Sequence, residues 1–177
     1  SFGGLTITGN LFLVSNAAAS FRFLVISPKG TGHSLSGLSV TNNVFRNSTA
    51  NIDRVEMLDT SVATLNFGNF RNVTFEGNSF NGVAQATVSP LYIEHNQNTA
   101  ADTWVVNGAA YLPFGGWARN VSGLVAEGAV TNASNAAQFV TPYVQVEQGA
   151  GLNLVNVKWP SAVKGKVHMT IRCDNPI

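Results

Sequence analysis

Three acidic side chains in this 177-residue chain could take part in hydrolysis of a glycosidic bond, namely Glu76, Glu127 and Asp53. Glu76 and Glu127 occupy the same place in a short strand pattern that recurs along the chain, one or two repeats apart. At about 4.8 Å per stacked strand, they would lie about 4.8 or 9.6 Å apart. Carboxylates roughly 5 Å apart suit a retaining glycosidase, and those roughly 6.5 to 9.5 Å apart suit an inverting one. Stacked repeats also produce such pairs without a catalytic role, so no catalytic residue is assigned and these three stay candidates.

A ligand-binding excursion is predicted at about residues 83–120, the least repetitive part of the chain. Aromatic rings there can cover the apolar face of a sugar, while neighbouring polar groups bind its hydroxyls. Trp104 falls on an inward strand position and is interpreted as core, whereas Trp117 follows two glycines and is the better candidate for exposure. The predicted ligand-binding residues are Trp117, Tyr111, Asp102, Arg119 and Tyr92.

The densest group of charges lies in residues 47–60 and contains Asp53, Arg54, Glu56 and Asp59. One interpretation is a solvated loop in which the arginine pairs locally, because surface charges usually do no more than that. The alternative is that the carboxylates line a saccharide groove. The sequence leaves both open.

The elements that would position these side chains come from a repeated segment. It reads G-L-T-I-T-G-N-L-F from Gly4, G-L-S-V-T-N-N-V-F from Gly37 and N-V-T-F-E-G-N-S-F from Asn72. Weaker copies are expected at Thr103, Gly123 and Gly151. The first three copies begin 33 and 35 residues apart, and a period of this size indicates an array whose repeats bury their apolar faces against one another.

Each copy alternates apolar and polar residues, as a half-buried strand does, and then reaches a turn marked by Gly or Asn. One inward column is predicted to contain Leu5, Leu38 and Val73, and a second Ile7, Val40 and Phe75. Stacked turns would allow asparagine side chains to form hydrogen-bonded ladders. Because no long amphipathic helix separates the copies, a β-solenoid is favoured over leucine-rich or helical repeats.

The segments at 37–45 and 72–80 resemble the right-handed parallel β-helix of the pectate-lyase-like superfamily, and most of all phage or phage-derived particle spikes and tailspikes. The resemblance implies an all-β parallel β-helix over residues 1–157 and a C-terminal cap or oligomerisation strand over 158–177. It also implies a homotrimer on a virion or particle surface. Pectate lyases use acidic calcium ligands with a basic residue, a set that only the Asp53 group could reproduce.

Composition excludes several classes of function. Only 11% of the residues are charged and the net charge is +1, so the clustered basic face that nucleic-acid binding requires is not expected. The chain has no run of about 18 apolar residues, so no membrane insertion is expected. One cysteine and three scattered histidines predict no metal site, and no cofactor is expected.

The sequence is consistent with two functions. The first is a non-enzymatic spike or fibre module that attaches to bacterial cell-surface polysaccharide, and the alternative is a polysaccharide depolymerase, hydrolase or lyase, of tailspike type. The chain opens directly on a repeat, so it is also expected to be a fragment of a longer protein whose first strands are covered by further repeats or by a partner.

Overall fold

The computed structural model describes residues 2–175, in which the chain forms twelve strands and one 3-10 turn, Phe67–Asn69. Within that range no helix is long and apolar enough to cross a membrane. The strands are β1 Phe2–Thr8, β2 Leu11–Val14, β3 Leu24–Ile26, β4 Leu35–Thr41, β5 Val44–Asn47, β6 Glu56–Leu58, β7 Arg71–Glu76, β8 Ser79–Asn81, β9 Leu91–Asn107, β10 Asn120–Thr131, β11 Tyr143–Gln148 and β12 Leu154–Arg172.

The first eight strands form three small parallel sheets with the orders β1-β4-β7, β2-β5-β8 and β3-β6. In the first sheet Leu38 pairs with Leu5 on one side and Val73 on the other. Val40 likewise lies between Ile7 and Phe75. The predicted inward columns of the first three copies are therefore confirmed, and their members in β4 and β7 are buried.

Asparagines at the turns between these strands form the predicted ladder. The amide oxygen of Asn43 accepts hydrogen bonds from the backbone N–H and Nδ2 of Asn10, at 3.0 and 3.2 Å. Asn43 in turn donates its own N–H and Nδ2 to the amide oxygen of Asn78, both at 3.0 Å. Each bond satisfies a turn group that strand pairing leaves without a partner, so the ladder holds the three turns in register.

The last four strands form one antiparallel sheet with β12 at its centre. β9 pairs with β12 along one edge, whereas β11 and β10 pair with successive parts of the other edge. The predicted parallel β-helix over residues 1–157 is therefore wrong. The chain builds small, separate sheets rather than a continuous solenoid.

The three weaker copies account for this error. Trp104 pairs with Val157, Leu124 pairs with Met169, and Leu154 pairs with Asn107, all in antiparallel register. Alternation of apolar and polar residues reports that a strand has one buried face, and it carries no information on the direction of the neighbouring strand. The core position predicted for Trp104 is confirmed, because the ring is fully buried and its Nε1 donates to two backbone carbonyls.

The predicted C-terminal cap of a β-helix is also wrong, whereas the alternative of an oligomerisation strand stays a prediction. β12 begins at Leu154 and crosses the predicted boundary at 157/158 without interruption, and it is the central strand of its sheet rather than an added one. The predicted irregular excursion at 83–120 contains β9, which is 17 residues long.

Residues just beyond β12 join the antiparallel sheet to the parallel ones. The carboxylate of Asp174 is fully buried, accepts a hydrogen bond from the backbone N–H of Val73 in β7 at 2.9 Å, and pairs with Arg172 at 2.8 Å. The bonds to Asp174 raise the pKa of Arg172. Asn175 N–H donates to the carbonyl of Phe70 at 3.1 Å. These contacts close the outer edge of β7.

Candidate ligand-binding site

One face of the antiparallel sheet collects polar and aromatic side chains from three strands. His168 in β12 lies opposite Glu94 in β9, and Lys166 lies opposite Glu127 in β10. Because successive side chains of a strand point to opposite faces, Tyr92 joins the same face as Glu94. We call these five residues the polar sheet face. The alternate residues Val167 and Met169 are buried on the other side.

The aromatic part of the polar sheet face is a stacked pair. The rings of Tyr92 and His168 are nearly parallel, with an interplanar angle of 11° and centroids 5.4 Å apart. Tyr92 is 67% exposed. The imidazole supports one side of the phenol ring and leaves much of Tyr92 open to a ligand.

The charges of the polar sheet face form one network. Lys166 Nζ lies 3.4 Å from Glu94 Oε1 and 3.7 Å from Glu127 Oε1, and His168 Nε2 contacts Glu127 Oε2. The hydrogen bond from His168, followed by the charge of Lys166, lowers the pKa of Glu127. Both influences favour the ionised carboxylate. The face therefore presents hydrogen-bond acceptors and an ammonium group beside an exposed ring.

A metal ion is the other occupant that this chemistry suggests. One ligand atom each from Glu94, Glu127 and His168 lies within 4.8 Å of the others. The ammonium of Lys166, however, already lies against both carboxylates. A divalent cation would have to displace it, so the donor set gives no reason to assign a metal.

Two of the predicted ligand-binding residues, Trp117 and Arg119, lie together but away from this network. Trp117 stacks on Phe67 with centroids 4.5 Å apart, and its Nε1 donates to Glu147 Oε1 at 2.8 Å. Arg119 pairs with the same Glu147 oxygen and donates from Nε to Asn175 at 3.1 Å. Their polar atoms are engaged within the protein, and one face of the indole is covered.

Tyr111 and Asp102 are exposed and lie apart from the polar sheet face. The ring of Tyr111 is 43% exposed, and its carbonyl accepts from Arg54 Nη2 at 3.4 Å and from the backbone N–H of Val88. Asp102 is exposed on β9 and accepts from its neighbour Thr103 at 3.0 Å. Of the five predicted binding residues, the structure brings only Tyr92 into the polar sheet face.

The carboxylates considered for catalysis are dispersed. Glu76 is exposed at the end of β7 in a parallel sheet, whereas Glu127 lies in the antiparallel sheet, so the predicted stacking of one above the other is wrong. Asp53 pairs with Arg22 at 3.2 Å. The carboxylate that does lie near Glu127 is Glu94.

Of the three carboxylates considered for a saccharide groove, Glu56 lines a cavity of about 420 Å³ together with Arg22 and Arg54, whereas Asp53 and Asp59 are not among the residues that line it. Arg54 and Glu56 are already paired with each other. Arg54 donates to Glu56, to Thr87 and to the carbonyls of residues 109, 111 and 112. Arg54 thus binds the 109–112 loop to the parallel sheets, while Asp53 pairs with Arg22 and Asp59 accepts from Ser27 and Ser61.

The residues that the sequence reasoning missed are Glu94, Lys166 and His168. The alternation in K-V-H-M-T-I-R from Lys166 does predict a strand with the lysine and the histidine on one face. Tyr92 and Glu94 show the same spacing of two. What the chain could not reveal was that these two strands pair side by side.

Comparison of the chain with protein-family models, with curated proteins and with solved structures gave no match. The resemblance to pectate-lyase-like proteins and to phage spikes therefore stays a prediction made from the repeated segments.

Proposed function

We propose that this protein is a non-enzymatic module that attaches to bacterial cell-surface polysaccharide. The observation that supports the proposal is the exposed ring of Tyr92, stacked on His168 and bordered by two carboxylates and an ammonium group. A pyranose presents an apolar C–H face and a rim of hydroxyls, which an aromatic ring and charged hydrogen-bonding groups recognise respectively.

An open sheet face suits a long polymer better than a small molecule, which usually requires a cavity that buries most of its surface. Affinity at one such face would be low and would gain from several copies acting together. The proposal includes a homotrimer on the surface of a phage-like particle, for which the support is the resemblance of the repeated segments.

Polysaccharide depolymerisation is the second candidate. It is favoured by the carboxylate oxygens of Glu94 and Glu127, which lie within 4.8 Å of each other, near the spacing of roughly 5 Å in retaining glycosidases. Such enzymes keep one carboxylic acid protonated by raising its pKa. The pKa of Glu127 is instead lowered, and the ammonium of Lys166 lies against both carboxylates and favours their ionised forms, so binding is the better-supported function.

The two functions are separated by incubating the protein with capsular polysaccharide and lipopolysaccharide preparations while following both binding and polymer length. The solution mass is measured in parallel to test the trimer. We expect binding without shortening, weakened about tenfold in Tyr92→Ala through loss of the ring contact. The matched control is Tyr143→Ala, because Tyr143 on β11 is 61% exposed, close to the 67% of Tyr92. Shortening of the polymer would establish the depolymerase, and equal effects of both substitutions would move the site away from Tyr92.

A further inference from the structure

The outermost strands of the parallel sheets, β1, β2 and β3, leave one side of the core uncovered. Within residues 2–175 each of these strands pairs along one edge only. Leu5 and Ile7 in β1 are half-buried, whereas their partners Leu38 and Val40 in β4 are at most 1% exposed. A cavity of about 480 Å³ opens at this side and is lined mainly by apolar residues, among them Phe2, Leu5, Leu24, Ile26 and Leu65.

The asparagine ladder ends at the same side, with Asn10. The hydrogen bonds of the other two asparagines show which groups would be needed to extend it. Asn43 Nδ2 donates to the carbonyl of Ile7 in β1, and Asn78 Nδ2 donates to the carbonyl of Val40 in β4. Each of these asparagines therefore bonds to the preceding strand of the sheet β1-β4-β7, which we describe as the strand above it. Asn10 has no strand above it among the described residues. Its Nδ2 donates to the carbonyl of Thr8 in its own strand at 3.0 Å.

The amide oxygen of Asn10 is the hydrogen-bond acceptor at this end of the ladder. In Asn43 and Asn78 this oxygen accepts from the backbone N–H and the Nδ2 of the asparagine above. In the described part of the chain no donor reaches the same oxygen of Asn10, which faces solvent. The missing donors are those of one more asparagine at a turn between two strands.

We infer that the exposed edges of β1 and β2 are an interaction surface for another polypeptide segment. The segment has a strand–asparagine turn–strand pattern, and its strands pair in parallel with β1 and β2. Its turn asparagine donates to Asn10, and its inward residues are apolar and fill the open cavity. Open strand edges bind extended segments in this way, with backbone hydrogen bonds supplying affinity and side-chain contacts supplying specificity.

Two features argue for a separate segment, rather than a second copy of the chain, as the occupant of this surface. The edge of β7 that would have to stack on β1 of another copy is closed by Ser89 and by residues 174 and 175. Two copies meeting through β1 in a symmetric pair would run antiparallel. That arrangement would not place an asparagine turn over Asn10.

The probe is a synthetic peptide of residues 35–47, L-S-G-L-S-V-T-N-N-V-F-R-N, which has the inferred pattern, and a scrambled peptide is its control. Amide hydrogen exchange of the full chain is followed with each. We expect the peptide to slow exchange in β1 and β2 and to leave β9 and β12 unchanged. Absence of protection, or the same protection with the scrambled peptide, would overturn the inference. Protection that rises with protein concentration without peptide would assign the surface to a second copy instead.

Two variants test the asparagine contact. Asn10→Ala removes the acceptor, and we expect the dissociation constant of the peptide to rise about fivefold, as for one lost hydrogen bond. Thr6→Ala, at an exposed position of β1 that leaves Asn10 unchanged, is the control and should retain binding. Circular dichroism confirms that both variants fold. Equal peptide binding by the wild type and Asn10→Ala would refute the ladder as the recognition element.

Discussion

The side chains of the polar sheet face differ in how many of their polar atoms are already bonded within the protein. His168 contributes its ring to Tyr92 and its Nε2 to Glu127, whereas its Nδ1 is buried and has no hydrogen-bond partner in the described structure. Glu94 and Glu127 keep free acceptor capacity because both are exposed. Their position therefore suits ligand contact, whereas Trp117 and Arg119 are held by Glu147.

The first residue-scale prediction contrasts two aromatic residues. Trp117→Ala should lower the free energy of unfolding by about 2 kcal/mol, because it removes the stack on Phe67 and the hydrogen bond to Glu147. Tyr92→Ala should change it by less than about 0.5 kcal/mol, because Tyr92 is largely exposed. Urea denaturation measures both. A fully stable Trp117→Ala protein would return Trp117 to the list of binding residues.

The second residue-scale prediction concerns the ionisation of the Glu127 carboxyl group. Its pKa is lowered from the usual 4.5, so its interaction with His168 contributes stability above that pH. The contribution is lost as the pH falls through the lowered value. An NMR titration of the carboxyl carbon should give a midpoint below 4.5, and His168→Ala should move it upward. A midpoint that does not change in the variant would show that the histidine is not the cause.

At the scale of elements, local signals identified strands well and their partners poorly. The copies at 4–12, 37–45 and 72–80 end in turns that stack through Asn10, Asn43 and Asn78, so the sequence pattern and the pairing agree. Beyond residue 83 the same alternation belongs to long antiparallel strands joined by irregular loops. Parallel and antiparallel strands with one buried face share the same period of two, so the pattern could not distinguish them.

The prediction at this scale tests the confirmed register. Val40→Asp places an unpaired charge at a position that is 1% exposed and should cost more than about 4 kcal/mol, enough to prevent folding. Val44→Asp is the matched control, because Val44 in the adjacent strand β5 is 40% exposed. Circular dichroism and soluble yield distinguish them. A folded Val40→Asp protein would mean that the register is wrong.

At the scale of the whole molecule, two kinds of sheet share one core, and the contacts between them are few and specific. The bonds of Asp174 to Val73 and Arg172 connect the end of β12 to β7. Arg54 connects the loop at 109–112 to the parallel sheets. Loss of the first connection would expose the buried edge of β7, and loss of the second would detach the 109–112 loop from the parallel sheets.

Asp174→Ala tests the first connection. It leaves the N–H of Val73 without its partner and Arg172 without its counter-ion, so we expect a loss of about 3 kcal/mol in the free energy of unfolding. Asp102→Ala, at an exposed aspartate on β9, is the control and should be nearly neutral. Hydrogen exchange should show faster opening of β7 in Asp174→Ala alone. Equal stability of the two variants would contradict the assigned role of Asp174.

The all-β class, the register of β1, β4 and β7, the asparagine ladder and the buried position of Trp104 could all be predicted from the order of residues along the chain. Each of these follows from local alternation and from turn residues that recur at a near-constant interval. The antiparallel second half, and the common face of Tyr92, Glu94, Glu127, Lys166 and His168, became visible only in the folded chain. Those residues lie up to 76 positions apart, and their proximity depends on which strands pair, a choice made by the packing of whole strands around Trp104 and the core rather than by any local pattern.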